Sequence, residues 1–373
     1  MVNKIQPKYQ ASWLTIILVI LLGGLLCWAT QHDAALYQTP VGQVIKVTNQ
    51  KKVSQTDNFH NHDFSQKQLL KVRILNGHYR NKVLRVQNTF SASNAMDQAY
   101  RKNQQLFLNI QKKANHKLQG TITDLKRDTV IVFLSFLAIS LLLLTMKFSG
   151  FMALLSVLLN GVLFFLAIKL DVWLQGTNIL LIFGILAFVF AGLTLFLVLG
   201  KTKQMLVTFG ATILGTVGAV IVTLLVLKFT HEQGLHFEMM EYVTQNLQPV
   251  FIAETILGSL GAVMDESTDI ISSLFALHRE TPNITQRQLF LSGREIGKSI
   301  MGPLINVLFL IFMADTFGMM VLYLRNGDSW SYAFTMNMSL GMVQSLVSGI
   351  GIVLAIPAAS WFASSLLKRG DRL

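Results

Sequence analysis

Residues 248–274 read QPVFIAETILGSLGAVMDESTDIISSL, a mostly apolar run that carries four carboxylates, Glu254, Asp265, Glu266 and Asp269. A charged side chain costs several kcal/mol in hydrocarbon, so such groups are buried against protein or line a polar cavity. At 100° per residue, Glu254, Gly258, Gly261, Asp265, Thr268, Asp269 and Ser272 fall within about ±60° of one line, and Glu266 sits roughly 120° away. One helix with a small-and-polar stripe and an apolar remainder is therefore the expected form of this segment.

The rest of the chain sets that helix in a membrane. Of 373 residues, 52% are hydrophobic and only 13% charged, with a mean hydropathy of +0.50; soluble domains carry about 25% charged residues. About 20 apolar residues cross a bilayer core. Runs of this kind lie at 13–29, 130–146, 151–168, 179–199, 205–227, 250–271, 300–321 and 338–367, which gives about eight crossings. Short-loop Lys and Arg mark the cytoplasmic side. Lys4 and Lys8, Lys147, Lys201 and Lys203, Arg279, Arg287, Arg294 and Lys298, then Lys368, Arg369 and Arg372, all fall on one side. The opposite short loops hold Asp171, Glu232, Glu238, Glu241 and Asp328, with only Lys169, Lys228 and Arg325 as cations. Both termini are thus expected in the cytoplasm of a bacterial plasma-membrane protein. The first run is longer than a signal-peptide core and ends LLCWAT, a poor cleavage site, so it reads as a retained anchor. The sole cysteine, Cys27, excludes an intrachain disulfide and a cysteine metal cluster.

Residues 31–128 differ in kind. They hold sixteen Lys/Arg against six Asp and no Glu, a net charge of +10. Leu70, Val72 and Ile74 alternate with Lys71 and Arg73, the period of a half-buried strand. Asn76-Gly77 follows as a turn signal, then a second run at 83–86 completes a hairpin. Further strands are expected at 41–48 and 106–110, and 91–102 reads as loop or short helix. The expected organisation is 1–30, tail and first helix; 31–128, a basic extracytoplasmic β-rich domain; and 129–373, an all-α polytopic membrane domain. The basic domain suits an anionic cell-wall polymer or lipid headgroups; its extracytoplasmic placement argues against nucleic acid. A homo-oligomer or a membrane-protein partner is also compatible with the helical part.

Two readings of the carboxylates stand side by side. Desolvated neighbouring carboxylates can hold a cation or exchange a proton; alternatively Asp265, Glu266 and Asp269 are wet at the cytoplasmic interface, with Glu254 at the other. Gly258 and Gly261 offer a flat face for helix packing, as do Gly210, Gly215 and Gly218, and Gly302 is expected to pack in the same way. Arg294 and Lys298, four apart, share a helix face within reach of Asp265 or Asp269, either as a structural ion pair or as a gating one. Gly302-Pro303 removes a helical donor, and Asn306 follows as a polar group within the membrane. His60, His62 and Asp63 are candidates for a metal but read better as a wet loop. His231-Glu232 with His236 misses the metalloprotease spacing. No phosphate-binding loop, nucleophile elbow or dinucleotide fingerprint is present, so neither an enzyme nor a cofactor is expected.

At these segments the chain resembles the YibE/F-like family of bacterial multi-pass membrane proteins. The residues that carry the resemblance are 254–265 (ETILGSLGAVMD), 270–274, 292–298 (SGREIGK), Met301-Gly302 and Asn306. It implies an amino-terminal anchor, an extracytoplasmic β-rich domain, a helical membrane domain and a permease-like role. An apolar or small residue is expected after Asp265 in that family, so Glu266 and Asp269 make this chain more acidic there. The expected function is a permease or exporter using Asp265, Asp269, Glu266, Glu254 and Asn306, with Arg294 and Lys298 pairing charge. The alternative is a non-transporting envelope protein that works through its basic outer domain.

Overall fold

The computed structural model describes residues 13–56, 60, 62–93, 97–112, 118–240 and 247–370, with side chains omitted at 13–16 and 368–370. Lys4, Lys8, Asn61, Glu241 and Arg372 lie outside the described residues, as do the side chains of Lys368 and Arg369. The chain forms two units, one ending at Gly150 and one beginning at Phe151.

The first unit opens with α1 (Trp13–His32) and a short 3-10 helix (Asp33–Leu36). Five antiparallel strands follow: β1 (Val41–Thr56), β2 (His62–Ile74), β3 (Val83–Ser91), β4 (Gln105–Lys112) and β5 (Leu118–Leu125). Their hydrogen-bonded order is β3-β2-β1-β4-β5. The sheet curls until its two edges meet: a Cβ on Gly120 of β5 would lie 3.2 Å from Leu84 and 3.5 Å from Val86 of β3. The succession β1-β2-β3-β5-β4 is that of small five-stranded OB-type barrels. Period-two alternation builds the interior. Leu70, Val72 and Ile74 of β2 point in while Lys71 and Arg73 point out, and they pack with Val44, Leu84, Val86, Leu106 and Leu108. The expected strands are all present, each longer than read. The sequence reading missed β5, whose LQGTITDL lacks a full alternation of large apolar residues. The turn at Asn76-Gly77 is wider than two residues. Asn76 is buried, accepts from the Val41 backbone N–H and donates to the carbonyls of Tyr37 and Thr39, so it ties the turn to the start of β1. The described part of 91–102 has no helix.

Helix α2 (Asp128–Trp173) runs 46 residues, about 69 Å at 1.5 Å per residue and twice a bilayer core. Lys147 within it has φ 52° and ψ −123°, so two helices meet there. The break separates the two apolar runs expected as separate crossings.

The second unit continues with α3 (Ile179–Leu199), α4 (Lys203–Thr230), a 3-10 turn (Phe237–Met239), α5 (Leu247–Glu280), α6 (Gln286–Arg325) and α7 (Trp330–Gly370). Seven helices of the described chain are long and apolar enough to cross a membrane. The last three exceed a single crossing. Helices α5 and α6 form an antiparallel hairpin whose link is only residues 281–285, closed by a capping box between Thr285 and Gln288. The contact layers are built on glycine. A Cβ on Gly215 of α4 would come 2.8 Å from Val263 of α5, and one on Gly351 of α7 would come 2.7 Å from the same side chain. Two and three turns further along α5, Gly297 of α6 faces Ile356 and Ile270, and Gly293 faces Ser360 and Leu274. Helix α5 is thus the centre of the unit, touching α3, α4, α6 and α7.

Candidate functional site

Helix α5 buries one side and leaves the other open, and the division follows the angular reading of its sequence. Ile252, Ile256, Ser259, Leu260, Val263, Glu266, Ser267, Ile270 and Leu274 face the bundle. Glu254, Gly258, Gly261, Asp265 and Asp269 are exposed, with Thr268 and Ser272 half-buried beside them. The small-and-polar stripe is therefore real, but no described residue covers most of it. No ion pair joins Asp265 or Asp269 to another described residue. Gln344 of α7 reaches Glu254, donating to its Oε2 at 3.2 Å.

Glu266 inverts the expectation. It lies off the stripe, is 0% exposed, and neither carboxylate oxygen has a hydrogen-bond partner among the described residues. It stands three residues after Val263 and four before Ile270, between the two glycine contact layers that clamp α5 against α4, α7 and α6. The hydroxyls of Ser267 beside it, and of Thr212 and Thr216 on α4, are likewise buried and unpartnered. Helix α4 runs antiparallel to α5, as the Gly215–Val263 contact and the 2.7 Å bond from Gln204 to Ser272 require. Thr212, three residues before Gly215, is therefore level with Glu266. This α4 row is Thr208, Thr212, Thr216 and Thr223, all 5% exposed or less. Thr208 and Thr223 bond back to carbonyls of their own helix, at Gln204 and Ala219. The sequence reading passed over these threonines, although their spacing of four and seven was legible. An ionised carboxylate without a partner in such a setting carries a desolvation cost of several kcal/mol. Protonation or a bound cation is what relieves a cost of this kind.

The remaining expected groups fall elsewhere. Lys298 pairs with Glu295 of its own helix at 2.7 Å, both exposed, and surface pairs of this sort contribute about 1 kcal/mol or less. Arg294 is exposed, and neither cation forms an ion pair with Asp265 or Asp269 among the described residues. The 281–285 link is short enough to align the helices, but α5 turns its stripe away from α6. Asn306 is exposed on α6 near Gly302 and Pro303. Gly258, Gly261 and Gly302, expected to pack helices, have nothing within 4 Å of a Cβ position. That role belongs to Gly215, Gly218, Gly293, Gly297 and Gly351, because a glycine gap is useful only where a neighbour's side chain enters it. Asp315 is a further exposed acid inside α6 that the sequence reading did not single out. His62 bonds Thr56, and Asp63 accepts from the Phe64 and Ala92 backbone N–H groups and from Ser93. His236 contacts Glu238 at 2.8 Å. No cluster of three metal-ligating side chains occurs among the described residues.

The first unit has one buried charge network of its own. Lys126, 2% exposed at its side chain, contacts Asp33 at 2.7 Å and Asp128 at 2.6 Å. Tyr37 donates to Asp128 at 2.9 Å. Desolvation first, then the Asp128 hydrogen bond and charge, push the Tyr37 phenol up from 10.0 to about 12. The cluster ties the end of α1, the barrel and the start of α2 together.

Comparison with known proteins gives two matches. The model of the family described as YibE/F-like protein matches residues 134–369, and that described as YibE/F family N-terminal domain matches residues 35–125. No curated protein matches, and no solved structure does.

Proposed function

Because the chain belongs to the YibE/F-like family and its apolar helices α4 to α7 enclose a carboxylate with no partner among the described residues, we propose that it is a permease or exporter that moves a proton, a cation or a small solute past Glu266. It sits in the bacterial plasma membrane with eight crossings, both termini in the cytoplasm and residues 31–128 outside. Glu266 is the exchange group, and the buried hydroxyls of Thr212, Thr216 and Ser267 serve beside it. Asp265 and Asp269, on the open face of α5, collect cations at the mouth of the path, and Glu254 with Gln344 marks its other end. Arg294 and Lys298 neutralise the stripe in a second state. The single supporting observation is Glu266 itself, since buried ionisable groups in membrane helices mark transport paths more often than packing needs.

The test is flux in proteoliposomes, followed with a pH-sensitive dye under an imposed proton gradient and with sodium or potassium on one side. Glu266→Gln keeps the volume and removes the exchangeable charge. Lost flux with a folded protein is the expected outcome; unchanged flux and pH response would overturn the assignment. The second reading, an envelope protein that does not transport, is favoured by the separate basic barrel. It requires that removing 31–128 abolishes function while Glu266→Gln is tolerated.

A further inference from the structure

The outer face of the barrel carries a charge arrangement that folding does not ask for. Lys46 of β1 is the register partner of Lys71 of β2, and Lys71 is the partner of Arg85 of β3. Partners across an antiparallel ladder point to one face, so three cations stand in one row across three strands. Arg73 continues the face two residues along β2. Like charges set directly opposite one another destabilise a sheet. All four are exposed, and no acid among the described residues pairs with any of them. Every described aspartate of this unit is engaged elsewhere: Asp33 and Asp128 on Lys126, Asp124 on Arg127, Asp63 on Ser93 and backbone N–H groups, and Asp97 on Ser91.

The row opens on a groove of about 780 Å³ where β5 closes against β3. Its lining offers Lys71 and Arg85 with the hydrogen-bonding side chains of Thr48, Gln87, Gln119 and Thr121. Neighbouring strands lie about 4.8 Å apart, so the three cations span roughly 10 Å, longer than one phosphate and suited to consecutive phosphates of a chain. The described lining has no aromatic ring, and single-stranded nucleic acid is held by stacking on such rings. A trough between strands admits a chain and not a flat bilayer.

From this we propose that the groove lined by β1, β2, β3 and β5 binds an extended polyol-phosphate polymer of the cell envelope, with phosphates on Lys71 and Arg85 inside it and on Lys46 at the end of the same row beyond the lining, and hydroxyls on the Gln and Thr side chains. The inference goes beyond the transport reading and shares with it only the extracytoplasmic placement of the barrel. It is tested on the full chain in nonionic detergent with a labelled poly(glycerol phosphate) oligomer, by fluorescence anisotropy. Binding should weaken steeply with added salt, as counterion release demands, and the pair Lys71→Gln/Arg85→Gln should lose about tenfold or more in affinity. The equal change in net charge made by Arg101→Gln/Lys102→Gln should leave affinity unaltered. Relief of like-charge repulsion should keep the melting temperature of the groove pair, and of Lys71→Gln alone, unchanged or higher. Equal loss in the control pair overturns the site, and a lowered melting temperature accompanying the lost binding would mark a structural role instead. An oligonucleotide of matched phosphate number binding as tightly, or phosphatidylglycerol micelles displacing the oligomer at equal phosphate, would reassign the groove to nucleic acid or to lipid. None of these outcomes touches the flux assay on Glu266.

Discussion

At the scale of residues, two enclosed charges behave oppositely. Glu266 is buried without a partner among the described residues, so its charge is a cost to the fold and not a support. Replacing buried ion pairs with apolar side chains of similar volume is often neutral or stabilising by about 1–4 kcal/mol, and a lone buried charge has no pair energy to lose. Glu266→Leu is therefore expected to raise thermal stability in detergent while abolishing flux; a clear drop in melting temperature would say the carboxylate holds the bundle together. Lys126 is the converse, a buried cation held between Asp33 and Asp128. Lys126→Met leaves both carboxylates uncompensated and should destabilise the first unit by about 3 kcal/mol, visible as earlier proteolysis of the barrel. Its neighbour Tyr37 gives a pH signature. The folded phenol titrates near 12 against 10.0 unfolded, so its contribution is full below pH 10 and is lost as pH climbs from 10 to 12. Tyr37→Phe should flatten that alkaline fall in stability, and an unchanged fall would detach Tyr37 from it.

At the scale of elements, α5 is held by glycines on its neighbours and not by its own. Gly215, Gly297 and Gly351 each admit a branched side chain within 3 Å of where a Cβ would stand. Gly297→Val should cost about 1–3 kcal/mol or more through overpacking, whereas Gly258→Ala and Gly261→Ala, with open space around them, should be near neutral or slightly stabilising through helix propensity. Thermal melts of the three variants decide it; equal damage at Gly258 would mean a covering surface meets the stripe. The kink residue Lys147 sits in a left-handed conformation that costs a non-glycine residue about 1–3 kcal/mol.

At the scale of the whole molecule, the basic sheet lies in the first unit with α1 and the start of α2, and the remaining apolar helices make up the second. The proposed orientation is checked with the sole cysteine changed, Cys27→Ser, and single cysteines placed back. With an impermeant thiol reagent on intact cells, His78→Cys should label at once and Asn283→Cys only after permeabilisation. The reverse pattern would invert the topology and remove the envelope polymer from reach of the barrel.

Much of this architecture was legible in the chain because it rests on local periodicity. Apolar length set the helices and alternation set β1 to β4. The 3.6-residue period placed Glu254, Asp265 and Asp269 on one line. A strand such as β5, with Gly120 where a large residue would clash with Leu84, carries too little local signal and forms only because a barrel edge awaits it. The sequence alone also separated the basic insert from the helical part, since charge and hydropathy need no neighbours to be counted. Only the tertiary structure decided which side of α5 is enclosed, and so that Glu266, not the stripe, is the buried acid. It also set Lys46, Lys71 and Arg85 in one row. Those facts depend on register between segments far apart in the chain, and burial is a property of what packs against a residue, which no residue encodes by itself.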